Sequence, residues 1–228
     1  MKTAILACQT IKDEIEKAYS LAGCDHDIFW VESGLHNNPD KLRVRLQEEL
    51  DKITDVDRVI LGFGFCGNSV LGLVAGNYEL IIPKVDDCIT LVIGSVEARN
   101  AISAEAATYF LTQGWLTHES NIWKEYQYSL KKYGKKKTAM IYDMMLGHYK
   151  RLGVIDTGCY DFEEFFNNTV EIAKTFKLNH ERLDGTITYI SELLTGPWDD
   201  SRYLIIAPGE TITHEMINTF GFTPTVQS

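Results

Sequence analysis

The chain has 228 residues, of which 45% are hydrophobic and 24% charged, and its formal net charge is −10. This composition is that of a globular protein and excludes a disordered or fibrous chain. The negative charge disfavours binding to nucleic acid or to an anionic membrane surface, and no apolar run reaches the roughly 20 residues of a membrane span. Because the first apolar run is short and passes directly into Lys12, Asp13 and Glu14, we expect no signal peptide and a cytoplasmic location.

Short apolar runs alternate with helical patterns over the first hundred residues. Strand, helix, strand, helix with short connections is typical of a parallel sheet covered by helices on both faces. Right-handed crossovers then bring the carboxyl end of each strand to one edge of the sheet. We therefore predict an α/β fold. The predicted strands are residues 3–7, 27–31, 57–63 and 79–83. One predicted helix follows each of the first two strands, and a third covers residues 70–75.

The second half of the chain is more helical and less regular. Because no linker or repeat separates the halves, we predict two tightly packed α/β lobes, residues 1–100 and residues 101–228. The lysine-rich stretch 131–137 is interpreted as a solvated helix end, since the overall field of the protein is negative. The predicted strands here are residues 108–112, 154–157 and 203–207, and the predicted helices are residues 117–133, 161–175 and 187–194.

Three of the five cysteines follow predicted strands. Cys8 ends the first strand, Cys66 lies in the glycine-rich loop after the third, and Cys88 follows the fourth, while His36 lies after the second. Because ligands of a parallel sheet bind beyond the carboxyl ends of its strands, we expect these side chains to meet in one cleft. Thiolates and an imidazole are ligands for zinc, and three thiolates with an open position also suit an iron–sulfur cluster. The competing interpretation is that the cysteines are ordinary core residues.

Two glycines and two aspartates accompany these cysteines. Gly64 and Gly67 lie on either side of Cys66, where they let the backbone turn sharply around a bound cofactor. Asp86 and Asp87 directly precede the last cysteine of the set. Carboxylates at that position suit hydrogen bonding to metal ligands or general-base catalysis, so both are predicted catalytic residues.

Three aromatic residues of the second half are candidates for the opposite wall of a small-molecule substrate pocket. Trp115 follows a predicted strand, where it is placed to face the cleft. Tyr142 and Tyr149 share one face of a helical pattern and are expected to contact the substrate or cofactor from the same side. The competing interpretation is ordinary core packing, because aromatic rings dominate protein cores.

The glycine-rich loop permits two other interpretations. Residues 62–67 match the GxGxxG pattern of dinucleotide-binding loops, but Phe65 and Cys66 make the loop bulky and no acidic residue ends the next strand. Alternatively, Cys66 at the start of the helix 70–75 would be activated as a nucleophile, with His36 or His148 as its base. The sequence contains no P-loop motif and no serine-hydrolase motif.

Several segments carry a family resemblance over about residues 3–212. They are Ala7-Cys8, Leu35-His36, Gly64-Phe65-Cys66-Gly67, Asp87-Cys88, Tyr109 to Trp115, Ile155 to Gly158 and Pro208-Gly209. Together they resemble an uncharacterised domain-of-unknown-function family of anaerobic bacteria and methanogenic archaea. Gln113 stands where that family would have a proline, which bears on the geometry of one turn. Members of the family are often encoded near corrinoid-dependent methyltransferases, so the resemblance implies a one-carbon or methyl-transfer setting and a corrinoid protein or methyltransferase as partner.

The residues and the resemblance together predict a cytoplasmic metalloprotein with zinc bound by the three thiolates, with or without His36. Zinc bound by thiolates holds a substrate thiol as thiolate at neutral pH, so the expected enzyme handles a small methylated or thiol-containing metabolite. One alternative keeps the same ligands around an iron–sulfur cluster in a lyase or redox protein. The other is a non-enzymatic accessory protein that handles metal or corrinoid for a methyltransferase.

Overall fold

A computed structural model describes residues 1–35, 38–117 and 121–218 of the chain. The strands are Thr3–Cys8 (β1), Asp27–Val31 (β2), Arg58–Gly62 (β3), Glu79–Pro83 (β4), Thr108–Leu111 (β5), Arg151–Asp156 (β6), Asn179–Asp184 (β7) and Tyr203–Ile206 (β8). The helices are Lys12–Ala22 (α1), Pro39–Leu50 (α2), Cys88–Ile93 (α3), Val96–Glu105 (α4), Gln113–Thr117 (α5), Ile122–Leu146 (α6), Phe162–Phe176 (α7), Thr188–Thr195 (α8) and His214–Asn218 (α9).

The first sheet contains five strands in the order β2-β1-β3-β4-β8. Its first four strands are parallel, and β8 pairs with β4 in the antiparallel direction. The central strands are buried along almost their whole length, as their continuous apolar runs require when helices cover both faces. The α/β fold with a mostly parallel sheet between helices is therefore confirmed.

The second sheet contains three parallel strands in the order β5-β6-β7. The strand β7 has the polar sequence Asn-His-Glu-Arg-Leu-Asp and lies at the edge of this sheet. Because half of its side chains face solvent, its sequence lacks the apolar run by which strands are recognised. This strand was missing from the sequence prediction.

The chain returns to the first sheet after it has built the second. The strand β8 lies beside β4, and α8 packs against α1 and shares the first core. Residues 188–206, which the sequence prediction assigned to the second lobe, therefore complete the first. Adding β8 covers the edge of β4, whose backbone groups would otherwise lack partners.

The predicted helix at residues 70–75 is wrong. The structure forms turns there, with Gly72 in the left-handed region at a φ of 85°. The backbone of this segment pairs instead with the segment after β8, because Gly72 donates to the carbonyl of Ile212 and Val74 bridges to Thr211. Long-range pairing has overridden the local apolar pattern.

The helix α6 bends at Gly134, whose φ of 74° and ψ of 165° are not helical. The lysine-rich stretch 131–137 crosses this bend, and all of its lysines are exposed.

In the described part of the chain, no helix is long and apolar enough to cross a membrane.

The carboxyl ends of strands from both sheets meet where the lobes touch. Thr112, directly after β5, donates to the carbonyl of Thr10 over 3.4 Å, and Thr157, directly after β6, donates to the Glu14 carboxylate over 2.8 Å. All four residues are buried. We call these four residues the seam. The ring of Trp115 packs against the cores of both lobes beside it.

Candidate functional site

The thiols of Cys8, Cys66 and Cys88 come together at the carboxyl edge of the first sheet. The Cys66 and Cys8 thiols lie close enough to the Cys88 thiol for both to shift its pKa. Each of the three follows a different strand, β1, β3 or β4, and all are free thiols. We call this group the cysteine cluster. Cys24 and Cys159, the other two cysteines, are also free and are partly exposed.

Cys8 is the last residue of β1 and is completely buried. Its Sγ lies 2.9 Å from Oγ1 of Thr10, and the two side chains share a hydrogen bond. Since the carbonyl of Thr10 accepts the bond from Thr112, the cysteine cluster lies beside the seam at the contact between the lobes.

Cys66 occupies an uncommon backbone conformation in the loop after β3. Its φ is 42°, and the next two residues, Gly67 and Asn68, both have a φ of 67°. Left-handed φ values are unfavourable for residues other than glycine and persist where surrounding contacts enforce them. Here the enforcing contact is a 2.7 Å hydrogen bond from the Cys66 N–H to the carbonyl of Asp86. The Cys66 side chain remains partly exposed.

Gly64 holds the loop after β3 tightly against the loop after β4. A Cβ at Gly64 would lie 2.5 Å from the backbone of Asp87, which is closer than any real Cβ contact. Glycine at this position is therefore required for the close approach of the two loops. Gly67 also takes a left-handed conformation, with a φ of 67°. That the two glycines bind a cofactor stays a prediction.

The absence of a helix after Cys66 weakens the two alternative interpretations of this loop. A dinucleotide-binding loop and a cysteine activated by a helix both need a helix N-terminus directly after the loop. The chain forms turns at residues 66–72 instead. In addition, His148 packs against the ring of Tyr149 in the second lobe, with ring centroids 4.1 Å apart.

Cys88 is the first residue of α3 and is completely buried. Hydrogen bonding with Cys66, together with burial, raises the pKa of its thiol. The preceding residue, Asp87, caps the helix by accepting from the Thr90 N–H, and its other oxygen forms a 2.8 Å ion pair with the buried Arg99. Both Asp87 oxygens are thus engaged, so this residue fixes the loop that carries Cys88.

Asp86 is the more available of the two predicted catalytic carboxylates. It is partly buried, and burial together with the neighbouring Asp87 carboxylate raises its pKa. Arg99 opposes this shift in the pKa of Asp86 without forming an ion pair with it. A carboxyl whose pKa is raised towards neutrality is suited to proton transfer.

The chemistry of the cysteine cluster suits a metal ion, but its three thiols are not arranged around a common metal position. Over the ranges that the structure describes, no three His, Cys, Asp or Glu side chains stand in a metal-binding arrangement. His36, the predicted fourth ligand, lies outside the described residues. The three sulfur atoms nevertheless suit zinc and iron–sulfur clusters by their chemistry.

The predicted aromatic wall is divided between two places. Trp115 lies at the contact between the lobes, where its ring touches both cores. Tyr142 and Tyr149 line a cavity of about 270 Å³ between α6 and α7 in the second lobe. Tyr142 stacks there on Phe176, with centroids 5.5 Å apart. The structure therefore does not bring the two tyrosines to the cysteine cluster, because this side of α6 packs onto α7.

Sequence reasoning missed Glu14, a carboxylate at the seam. Glu14 lies in the first turn of α1 with no exposed surface, and burial raises its pKa from 4.5 to about 7. A signal was available, because Glu14 shares the helix face of Ile11, Ile15 and Ala18, which is the buried face. An acidic residue on an apolar helix face indicates a buried carboxylate with a specific partner.

Comparison with known proteins gives a family and no function. Residues 30–194 match the family described as "Protein of unknown function (DUF1638)", which confirms the resemblance to a domain of unknown function. The matched range includes Cys66 and Cys88, and Cys8 precedes it. No curated protein and no solved structure shows a significant match to this sequence. The chain belongs to the DUF1638 family of proteins of unknown function.

Proposed function

We propose that Cys8, Cys66 and Cys88 are the thiolate ligands of a metal site, with zinc as the metal and His36 as a candidate fourth ligand. This proposal rests on the closeness of the three thiols, since Cys66 and Cys8 both act on the pKa of the Cys88 thiol. Three separate strand ends supply the three sulfur atoms, at the edge where parallel sheets bind their ligands.

Ordinary core packing explains Cys8 and Cys88 but not Cys66. A core cysteine has no need of a left-handed backbone, and the φ of 42° at Cys66 carries a conformational penalty of order 1 kcal/mol or more. The neighbouring loop offsets that penalty through the hydrogen bond from Cys66 to Asp86 and the close contact at Gly64. Such an arrangement directs a partly exposed thiol to a fixed position, as a metal ligand requires.

The proposed enzyme acts on a small methylated or thiol-containing metabolite in methyl transfer. Zinc bound by these thiolates would supply a Lewis acid that keeps a substrate thiol ionised at neutral pH. Asp86 accepts the proton that the substrate thiol releases, while Asp87 and Arg99 keep the Cys88 loop in place. A corrinoid protein or methyltransferase is the proposed partner, on the strength of the family resemblance.

Metal analysis of anaerobically purified protein tests the ligand set. We expect about one zinc per chain in the wild type, and loss of most of that metal in Cys66→Ser and Cys88→Ser. Cys24→Ser and Cys159→Ser are matched controls, since these free cysteines lie outside the cluster and should retain the metal. Equal metal content in all four variants, or none in the wild type, contradicts the proposal.

The absorption spectrum and a turnover assay separate the related functions. Iron and sulfide with visible absorption, lost in the same two variants, would replace zinc by an iron–sulfur cluster on the same ligands. Turnover of methyl donors with small thiols, abolished in Cys66→Ser, supports an enzyme. Metal binding with no turnover in the presence of a corrinoid protein supports an accessory role instead.

A further inference from the structure

Glu14 links the two lobes through a single carboxylate oxygen. Its Oε1 accepts a 2.8 Å hydrogen bond from the hydroxyl of Thr157, which belongs to the second lobe. Its Oε2 is buried and has no hydrogen-bond partner. The side chain has no exposed surface. A buried polar atom without a partner is rare in proteins and calls for a physical explanation.

The surroundings of Glu14 favour its neutral form. Burial is the main cause that raises its pKa to about 7, and the neighbouring Asp13 adds to it. In the described part of the chain no cation lies within ion-pair distance of its carboxylate. The titratable or charged groups around it are Asp13 and Lys17 on α1, and Asp156, Cys159 and Tyr160 at the end of β6 and after it. On α8, which packs against α1, Glu192 is paired with Arg202.

The contact between the lobes has an apolar part, in which Trp115 packs against both cores, and a polar part. Gln113 donates to Asp13 over 3.4 Å, and Thr112 donates to the carbonyl of Thr10 over 3.4 Å. Both bonds are long, so each contributes little to the closed arrangement. Of these side-chain hydrogen bonds only the one between Thr157 and Glu14 is short, and it ends on the carboxyl group that titrates.

We propose that Glu14 is a pH-dependent latch between the lobes, whose neutral carboxyl keeps the seam closed and whose ionised form favours opening. Opening hydrates the carboxylate and separates the carboxyl ends of β5 and β6 from α1. These are the edges at which parallel sheets bind ligands, so the latch controls access to the strand ends. The latch does not depend on the metal site, and it holds whether or not the thiols bind metal.

The difference between the pKa of Glu14 in the closed and open seam sets how strongly opening depends on pH. If Glu14 has a pKa of 4.5 when exposed and about 7 in the closed seam, ionisation drives opening over the interval between these values. The opening equilibrium then rises about tenfold between pH 6 and pH 8. Glu14→Gln keeps the shape of the side chain and cannot ionise, so its opening equilibrium should not change over this interval.

Hydrogen exchange read by mass spectrometry tests the latch. We expect protection of peptides covering residues 8–18, 108–117 and 154–161 in the wild type to fall about tenfold from pH 6 to pH 8, after correction for intrinsic exchange rates. A peptide covering β3 should keep its protection and serves as the internal reference. Glu14→Gln should show no such fall in any of the three peptides.

Two further variants keep the test decisive. Glu49→Gln alters the other buried carboxylate, which is already paired with Arg45 and Lys52, and should behave as the wild type. Thr157→Val removes the hydroxyl across the seam and should lower protection at both pH values. A fall of equal size in Glu14→Gln and wild type, or no fall in the wild type, overturns the proposal.

Discussion

The cysteine cluster and the seam are neighbours at the contact between the lobes but are built in opposite ways. Two loops locked together by backbone contacts around Gly64 and Cys66 fix the cysteine cluster. The seam depends on side-chain hydrogen bonds, of which one ends on Glu14. Backbone contacts of this kind are insensitive to pH, whereas a hydrogen bond to a titrating carboxyl is not. The contact between the lobes therefore combines a rigid part, which is suited to holding a ligand, with a part that is suited to opening.

The largest expected effect is at the rigid part. Gly64→Ala would place a Cβ 2.5 Å from the Asp87 backbone, which cannot move without displacing Cys88. We expect the free energy of unfolding to fall by about 4 kcal/mol, measured by urea denaturation. Gly158→Ala is the control for backbone strain without a clash, since its φ of 69° is left-handed but its Cβ would meet no atom within 4 Å. A loss of about 1 kcal/mol is expected there, and equal losses in the two variants would show that the loops are not locked.

The second effect belongs to the seam and depends on pH. Because the pKa of Glu14 is about 7 in the folded protein against 4.5 when exposed, its neutral form is favoured by folding. The contribution is fully present below pH 4.5 and is lost as the pH rises through 7, a difference on the order of 3 kcal/mol. Urea denaturation between pH 4.5 and pH 8 should show this decline in the wild type. The decline should be missing from Glu14→Gln, and a parallel decline there would assign it to other groups.

The sequence predicts the rigid part better than the seam, for a physical reason. Cys8, Cys66 and Cys88 each follow a strand, and parallel strands must bring their carboxyl ends to one edge. The seam depends on how one lobe docks on the other, which no local pattern encodes. The same limit explains why Tyr142 was expected in the cleft, since the sequence shows which residues share a helix face but not what covers that face.

The pairing of strands was predictable in the interior and not at the edges. The central strands β1, β3 and β4 have the apolar runs that burial on two faces demands. The edge strand β7 is polar, and β8 has an apolar run that gives no information about which sheet it joins. The docking of whole elements decides that the polar segment forms β7 and that β8 joins the first sheet.

The ion pair between Arg99 and Asp87 is a side-chain contact that supports the rigid part. Arg99→Met leaves the Asp87 carboxylate, with 23% of its side chain exposed, without its cation. Partial exposure moderates the penalty, so we expect a loss of about 2 kcal/mol in the free energy of unfolding. Arg182→Met removes a pair of the same 2.8 Å length from Asp156, but Arg182 is 54% exposed and its loss should stay within about 0.5 kcal/mol. Similar losses in the two variants would mean that burial of Arg99 does not matter.

The smallest effect separates the hydrogen bond of the seam from the charge of Glu14. Thr157→Val keeps the volume of the side chain and removes the donor to Glu14, which should lower the free energy of unfolding by about 1 kcal/mol. The Thr157 hydroxyl also lowers the pKa of Glu14, so its removal should raise that pKa further and make the loss greater at pH 8 than at pH 5. A double-mutant cycle with Glu14→Gln isolates the contribution of the Glu14 charge, because glutamine accepts the same hydrogen bond without a charge. If Thr157→Val loses equal stability at both pH values in the background that keeps Glu14, the carboxylate charge has no part in holding the lobes together.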